Sequence, residues 1–181
     1  MPPVKTAILD RDGVINMDSS EFIKSPDEWT AISGSLEAIA KLNHAGWRVV
    51  VATNQSGLAR GLFDMNTLTD IHHKMHQQVT ALGGRIDSIF ICPHGPHDGC
   101  HCRKPLPGLF LDIARRYELN LRHCVSVGDS LRDLEAAHST GCQTALVLTG
   151  NGAKTQQHPL PDGCSIHTDL AAVVDYWLNN Y

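Results

Sequence analysis

Acidic, hydroxyl and amine side chains stand at four places where a short apolar run of the chain ends. Asp10 and Asp12 follow the first run, Thr53 ends the second, Lys104 comes after the third, and Asp129 follows the fourth. A carboxylate can attack phosphorus and form an aspartyl-phosphate. A second carboxylate can protonate the leaving oxygen and later activate water. Mg²⁺ suits carboxylate oxygens, while a hydroxyl and an amine can hold the other phosphate oxygens. The set therefore predicts phosphoryl-transfer chemistry.

Each of these residues alone has a simpler interpretation. A single D-x-D pair is common, and an aspartate after a strand is often only a helix cap. The set indicates phosphoryl-transfer chemistry more specifically because its members stand at consecutive strand ends. The interpretation therefore depends on the strands and helices that position them.

Short runs rich in β-branched residues alternate with segments of helical periodicity. The predicted strands are 4–10, 47–54, 86–92, 123–129 and 142–148, and the predicted helices are 34–46, 65–82 (capped by Asp64), 108–119, 130–141 and 169–180. A Gly-rich turn at 150–154 and a polar loop at 156–161 precede the last helix. Uninterrupted apolar strands between helices predict an α/β fold, a Rossmann-like doubly wound parallel sheet with helices on both faces. In such a sheet the active site lies outside the carboxyl ends of the strands.

Length and charge narrow the class of protein. The chain has 181 residues, which predicts one domain over 1–181, and its formal net charge of −4 argues against nucleic acid or a membrane surface as the main partner. No apolar run reaches the length of about 18 residues that spans a bilayer. The first ten residues do not resemble a signal peptide, so we expect a cytoplasmic protein. In a reducing compartment the six cysteines do not form a disulfide framework, and Cys124, Cys142 and Cys164 are expected to be buried or incidental.

The loop CPHGPHDGCHC (92–102) concentrates soft metal ligands. Cys92, His94, Cys100 and Cys102 are the candidate ligands, with His97 and His101 as rivals for one position. Four nitrogen and sulfur ligands that leave no open position predict a structural, tetrahedral Zn²⁺ site. The alternative is a polar loop with free thiols. A second histidine group, His72, His73 and His76, has helical spacing and is interpreted as a solvated helix face rather than a metal site.

The segments DRDGVIN (10–16) and GDSLRD (128–133), with Thr53 and Lys104 between them, resemble in order the four motifs of haloacid-dehalogenase-superfamily phosphatases. The resemblance implies that Asp10 is the nucleophile and Asp12 the general acid/base, which also binds Mg²⁺ through its backbone carbonyl. It implies that Asp10 and Asp129 bind Mg²⁺ through their side chains, and that Thr53 and Lys104 stabilise the transferring phosphoryl group. Asp133 would be a partner of the metal or its water ligands.

The Cys/His loop resembles that of the histidinol-phosphate and heptose-bisphosphate phosphatase branch of this superfamily, and the segment TNQSGLARG (53–61) together with Arg103 favours the heptose-bisphosphate side. The resemblance implies hydrolysis of the 7-phosphate of D-glycero-D-manno-heptose 1,7-bisphosphate in heptose nucleotide or lipopolysaccharide biosynthesis, with Mg²⁺ and Zn²⁺ as cofactors. Arg103 would bind the distal phosphate, since Arg holds phosphate bidentately. The expected substrate-binding residues are Asp18, Ser19, Ser20, Glu21, Asn54, Gln55, Ser56 and Arg103. One position departs from the family pattern, because Ser130 stands where many relatives have lysine.

Three alternatives remain open at this stage. One is a phosphatase for histidinol phosphate or another small sugar phosphate, and another is a polynucleotide 3′-phosphatase, which the negative charge and the lack of a basic or aromatic groove disfavour. The third is a zinc-stabilised binding module without activity, which the presence of both Asp10 and Asp12 disfavours. We expect a monomer with a minimal cap that acts on a phosphorylated sugar and binds neither nucleic acid nor membrane.

Overall fold

A single sheet of six parallel strands organises the protein, whose computed structural model describes residues 4–181. The strands are β1 (Thr6–Leu9), β2 (Arg48–Asn54), β3 (Ser88–Cys92), β4 (Cys124–Gly128), β5 (Gln143–Val147) and β6 (Ser165–His167). Their order in the sheet is β3-β2-β1-β4-β5-β6. The chain moves outward from β1 to β3 and then returns to the other side of β1. The carboxyl ends of β1 and β4 therefore flank the switch point where open α/β sheets bind ligands.

Helices cover both faces of this sheet. They are α1 (Ser35–His44), α2 (Met65–Ala81), α3 (Gly108–Tyr117), α4 (Leu131–His138), α5 (Gly152–Thr155) and α6 (Leu170–Asn180). Apolar side chains of α1, α2 and α6 share one hydrophobic cluster with the sheet, and those of α3 and α4 share the other. Along β1, Leu9 joins the first cluster and Ile8 the second. Successive side chains of a strand point to opposite faces, and both faces here are covered, which is why the strand sequences are continuously apolar.

The predicted architecture is confirmed, and the bounds of the predicted elements differ from the observed ones by a few residues. Asp64 caps α2 as expected, because its side chain accepts a hydrogen bond of 2.8 Å from the backbone N–H of Thr67. Among the strands and α-helices of residues 4–181, two were not predicted: the edge strand β6, and the short helix α5 inside the expected Gly-rich turn. Strand β6 has only three residues, is partly exposed, and contains Ser165 and His167, so it shows no apolar run.

The cap over the carboxyl end of the sheet is minimal, as expected. It consists of the connection between β1 and α1, which contains one 3-10 turn (Pro26–Glu28). Lys74 of α2 fastens this connection by donating hydrogen bonds of 2.7 and 2.8 Å to the carbonyl oxygens of Pro26 and Trp29. Among residues 4–181, none of the helices has the length and apolar character that crossing a membrane requires.

Candidate active site

The Lys104 ammonium lies between two aspartates, Asp10 at the end of β1 and Asp133 in the first turn of α4. Its Nζ atom donates a hydrogen bond of 3.0 Å to Asp10 Oδ1 and lies 2.7 Å from Asp133 Oδ1. A third contact, to the carbonyl oxygen of Ala52 at 2.8 Å, fixes the ammonium beside β2. The Lys104 side chain is only 2% exposed. A buried ammonium that pairs with two carboxylates keeps its charge and orients both of them.

Asp129 completes a group of three carboxylates, since oxygen atoms of Asp10, Asp129 and Asp133 all lie within 4.8 Å of one another. Two glycines leave room for Asp129. A Cβ atom added to Gly13 or Gly150 would lie 2.1 or 2.2 Å from Asp129 Oδ2, and both residues have positive φ angles, of 82° and 56°. Only glycine meets both conditions without strain.

Burial, and then mutual repulsion, shift the pKa values of these carboxylates. Burial, together with the Asp133 charge, raises the pKa of Asp10 to about 7, although Lys104 opposes the shift. Burial and the charges of Asp10 and Asp133 raise the pKa of Asp129 to about 8. Burial would also raise the pKa of Asp133, but Lys104 lowers it below its usual value. One ammonium therefore does not neutralise the cluster.

A divalent cation fits this group on chemical grounds. All the donors are oxygen atoms, which Mg²⁺ prefers, and the cluster carries uncompensated negative charge. Asp10 and Asp129 would hold the ion through their side chains. Asp12 is expected to contribute a backbone carbonyl, and its side chain lies outside the carboxylate cluster.

The Asp12 carboxylate is instead surrounded by hydrogen-bond donors. Oδ1 accepts hydrogen bonds from Arg11 Nη2 at 2.9 Å and from Asn16 Nδ2 at 3.0 Å, and Oδ2 accepts one from Gln55 Nε2 at 2.9 Å. Burial alone would raise the pKa of Asp12, but the Arg11 guanidinium and these hydrogen bonds lower it below the usual value. The side chain stays 23% exposed and lines the same cavity as Asp10.

The last residues of β2 and those that follow it support Lys104 and Asp12 as well as lining the cavity. Thr53 is buried, and its Oγ1 accepts a hydrogen bond of 2.9 Å from Gln55 Nε2. Asn54 forms two hydrogen bonds of 3.1 Å with the backbone N–H and carbonyl of Lys104. Asn54, Gln55 and Ser56 all line the cavity, so the structure brings the three predicted substrate-binding residues to the site.

The cavity beside these residues measures about 260 Å³. Its lining residues also include Asp18, Ser19, Phe22, Arg60, Arg103 and Arg132. Three arginines around one cavity suit a second anionic group at a distance from the reacting phosphate. Ser20 lines a neighbouring cavity, while Glu21 is exposed and does not line the main one. The expected stretch 18–21 therefore contributes its first two residues to this cavity.

The Cys/His loop begins at the last residue of β3 and brings its four predicted ligands together. Cys92 Sγ lies 3.8 Å from Cys100 Sγ and 3.6 Å from His94 Nδ1, which is 3.3 Å from Cys102 Sγ. A tetrahedral Zn²⁺ with Zn–S distances of about 2.3 Å requires S···S separations of about 3.8 Å. The loop geometry thus fits zinc, whereas His97 and His101 are exposed and lie outside the cluster.

The loop also touches the cavity through Arg103. The backbone N–H of Arg103 donates to Cys100 Sγ at 3.4 Å, and its Nη1 donates to the carbonyl oxygen of His94 at 3.3 Å. Both contacts are made to predicted metal ligands. The position of the arginine therefore depends on the conformation of the loop.

Sequence reasoning missed four residues of the site: Arg11, Arg60, Arg132 and Asn151. Three of them stood inside the quoted motifs: Arg11 in DRDGVIN, Arg60 in TNQSGLARG and Arg132 in GDSLRD. Asn151 follows β5, so the rule that directed attention to strand ends applies to it as well. The interpretation of the three histidines as a solvated helix face was wrong for His72, which is partly buried and lies 3.1 Å from Arg11 Nη1. The contact joins two segments that are distant in sequence, so helical spacing could not show it.

The remaining cysteines carry no part of the site. None of the six cysteines forms a disulfide, and both Cys124 and Cys142 are buried in the cluster shared with α3 and α4. Cys164 is partly buried.

Comparisons with known proteins identify the family. A family model described as HAD-hydrolase-like matches residues 101–173. The chain is 61% identical over 176 residues to the D-glycero-β-D-manno-heptose-1,7-bisphosphate 7-phosphatase of Bordetella bronchiseptica, covering 97% of this chain and 98% of that protein. It is 53% identical to the phosphatase of the same name from Pseudomonas aeruginosa, covering 92% and 93% of the two chains.

Solved structures agree with the sequence relatives. The crystal structure of D,D-heptose 1,7-bisphosphate phosphatase from B. bronchiseptica, complexed with magnesium and phosphate, superposes with a TM-score of 0.97 at 60% identity, covering 98% of this chain and all of that one. The enzyme of the same name from Burkholderia thailandensis superposes with a TM-score of 0.78 at 50% identity, covering 97% and 99%. This chain belongs to the D-glycero-β-D-manno-heptose-1,7-bisphosphate 7-phosphatase family of HAD-like hydrolases.

Proposed function

We propose that this protein is a Mg²⁺-dependent phosphatase that removes the 7-phosphate from D-glycero-β-D-manno-heptose 1,7-bisphosphate through an aspartyl-phosphate. The observation that carries the proposal is the buried Lys104 ammonium between Asp10 and Asp133, with Asp129 in the same carboxylate group. This arrangement offers a nucleophilic carboxylate, a fixed cation for the phosphate oxygens and an oxygen-lined place for a divalent cation. The anomer follows the names of the relatives.

Asp10 is proposed as the nucleophile. One of its oxygens is held by Lys104 and by the backbone N–H of Arg11 at 2.8 Å, which leaves the other free to attack phosphorus. As the new bond forms, the bond between phosphorus and the sugar oxygen breaks, and Asp12 delivers a proton to the departing oxygen. The buried hydroxyl of Thr53 and the Lys104 ammonium stabilise the charge on the transferring group.

The second half of the reaction returns the enzyme to its starting state. Asp12, now a carboxylate, takes a proton from water as the water oxygen bonds to phosphorus and the bond to Asp10 breaks. Bound Mg²⁺ would neutralise phosphate charge and keep the Asp10 carboxylate ionised. The proposed zinc site at Cys92, His94, Cys100 and Cys102 has no open position, so its role is structural.

Substrate selection is assigned to the cavity residues that do not belong to the group of Lys104 and its carboxylates. Arg103, fixed by the Cys/His loop, is proposed to bind the 1-phosphate, and Arg60 and Arg132 add positive charge nearby. Asp18 and Ser19 lie on the same cavity, where they could hydrogen-bond sugar hydroxyls. Asn54 and Gln55 act mainly by fixing Lys104 and Asp12, and Ser56 remains a candidate substrate contact.

The experiment is phosphate release from the heptose bisphosphate and from histidinol phosphate, with and without Mg²⁺. We expect the heptose substrate to be preferred and Asp10→Asn to be inactive. Equal activity of wild type and Asp10→Asn would exclude Asp10 as the nucleophile. Faster turnover of histidinol phosphate would exclude the heptose bisphosphate as the preferred substrate. Arg103→Ala should harm the bisphosphate far more than a monophosphate.

We further propose that residues 1–181, including the zinc loop 92–104, form one catalytic domain that works as a cytoplasmic monomer on a free small molecule. The proposal is supported by the net charge of −4 and by the single sheet whose strand ends bring the proposed catalytic side chains together. Analytical ultracentrifugation of the zinc-loaded protein tests the monomer directly.

A further inference from the structure

The Arg11 side chain is almost completely buried, at 1% exposure, although it stands between the two aspartates of the first motif. Its Nε and Nη2 atoms donate to Asp12 Oδ1 at 3.1 and 2.9 Å. Its Nη1 atom points the other way and lies 3.1 Å from His72 Nε2. The guanidinium therefore links Asp12 to helix α2.

His72 is the acceptor in this contact. Burial and the adjacent Arg11 charge lower the pKa of His72 to about 3, so its ring is neutral and its Nε2 lone pair is free to accept. The ring is only partly exposed, whereas the next residue, His73, is exposed and bonds only Gln77, at 3.0 Å. The two neighbouring histidines thus differ in burial and in partner.

We propose that Arg11 and His72 are positioning residues, which hold the Asp12 carboxylate where it accepts the proton of the water that hydrolyses the aspartyl-phosphate. The inference rests on the proposed function, because it assumes that Asp10 carries the phosphoryl group. Neither residue needs to touch the substrate.

The geometry favours the water-activation step over the other steps. Every hydrogen bond found for the Asp12 oxygens in the described part of the chain comes from a donor, so these bonds stabilise the ionised carboxylate, which is the form that can accept a proton. Oδ1 receives three of these hydrogen bonds, while Oδ2 receives one of 2.9 Å from Gln55 and a longer one of 3.2 Å from Arg11. Oδ2 is therefore the less saturated oxygen of a side chain that lines the cavity. It takes the water proton while the water oxygen bonds to phosphorus and the electron pair of the broken bond returns to Asp10.

The test separates formation of the aspartyl-phosphate from its hydrolysis. With p-nitrophenyl phosphate the leaving group departs without a proton, so phosphorylation of Asp10 does not depend on Asp12 as an acid. Rapid quenching of the Mg²⁺-loaded enzyme gives the rate constants for formation and decay of the phosphoenzyme. For His72→Leu we expect decay to slow about tenfold and formation to change less than about twofold, because one hydrogen bond to a charged group is lost.

Matched variants complete the experiment. His73→Leu changes the adjacent, exposed histidine and should leave both rate constants unchanged. His72→Gln, which can accept a hydrogen bond from Arg11, should recover most of the decay rate. Arg11→Lys, which cannot bridge Asp12 and His72, should slow decay like His72→Leu, and it provides the test if His72→Leu does not fold.

An equal loss in formation and decay, or a decay rate in His72→Leu and Arg11→Lys that matches wild type, would overturn the inference. Failure of the proposed function is distinguishable from both outcomes. If the proposed substrate is wrong, the wild-type enzyme will hydrolyse the heptose bisphosphate poorly. The rate constants measured with p-nitrophenyl phosphate do not depend on that substrate, because p-nitrophenyl phosphate contains no heptose.

Discussion

Asn151 donates two hydrogen bonds to the same oxygen of Asp129, from its backbone N–H at 2.7 Å and from its side-chain amide at 3.2 Å. The same amide also donates a hydrogen bond of 3.0 Å to Oδ2 of Asp18, which lines the cavity. A residue from the loop after β5 therefore fixes a proposed metal ligand and touches a proposed substrate contact. Such supporting partners orient metal ligands and influence metal affinity.

Asn151→Ala should weaken Mg²⁺ binding while preserving the fold. The backbone N–H still donates to Asp129, so we expect the Mg²⁺ concentration for half-maximal activity to rise about tenfold, at the lower end of the effect of such partners. The measurement is a Mg²⁺ titration of phosphate release. Asn180→Ala, at an exposed position near the end of α6, is the control. An unchanged Mg²⁺ requirement in Asn151→Ala would contradict the role of the amide.

The sequence contained enough information to predict that Asp10, Lys104 and Asp129 would meet. Asp10 and Asp129 each directly follow a readily recognised apolar run, and Lys104 follows the loop that begins at the end of the third run. In a parallel sheet all these ends lie at one edge. The contacts between Asn151 and Asp129 and between Arg11 and His72 depend on tertiary packing between distant segments. At these positions the sequence pattern shows only the residue types. The guanidinium of Arg11, for example, could equally have faced solvent.

The Lys104 ammonium should also be a stabilising element. Lys104→Met would leave Asp10, Asp129 and Asp133 buried without their internal cation, and removing one partner of a buried ion pair costs about 3 kcal/mol or more. We expect a large fall in the free energy of unfolding at neutral pH, together with loss of activity. The measurement is urea unfolding without Mg²⁺.

Lys41→Met is the matched control, because Lys41 pairs with Asp175 at 3.0 Å through two side chains that are more than half exposed. Exposed pairs contribute about 1 kcal/mol or less. If both lysine variants lost the same small amount of stability, the carboxylate cluster would not depend on Lys104 for its charge balance.

The raised pKa values of Asp10 and Asp129 predict how stability depends on pH without Mg²⁺. In the folded protein these pKa values are raised to about 7 and about 8, from the ordinary aspartate value of 3.8 that applies to the unfolded chain. Above pH 3.8 the folded state therefore retains protons that the unfolded chain releases. Stability is fully present below that pH and is lost as pH rises towards 7 and 8, by about 1.4 kcal/mol per pH unit for each such carboxyl.

Mg²⁺ should relieve this loss because it replaces the protons on the cluster. We expect the gain in Tm on adding Mg²⁺ to be larger at about pH 8 than at about pH 5, with protons released on binding. Differential scanning calorimetry at the two pH values measures the gain. Asp129→Asn removes one titrating group and should flatten the pH dependence, so an equally steep dependence in this variant would assign it to other groups.

The last prediction concerns the link between the Cys/His loop and the substrate. Cys102 precedes Arg103, whose backbone and guanidinium contact Cys100 and His94. Cys102→Ser removes one of four proposed zinc ligands, so it should lower Tm and raise KM for the bisphosphate. Mg²⁺ binding at Asp10 and Asp129 should be largely unaffected, because neither aspartate belongs to the loop.

Cys164→Ser provides the control, since Cys164 is a free thiol outside the Cys/His loop. The measurements are zinc content, Tm and steady-state kinetics on the bisphosphate and on a monophosphate that lacks the distal anion. KM should rise for the bisphosphate only, because only that substrate needs a correctly placed Arg103. If removal of zinc left both Tm and this KM unchanged, the loop would not position the arginine, and Arg60 and Arg132 would become the candidates for the distal phosphate.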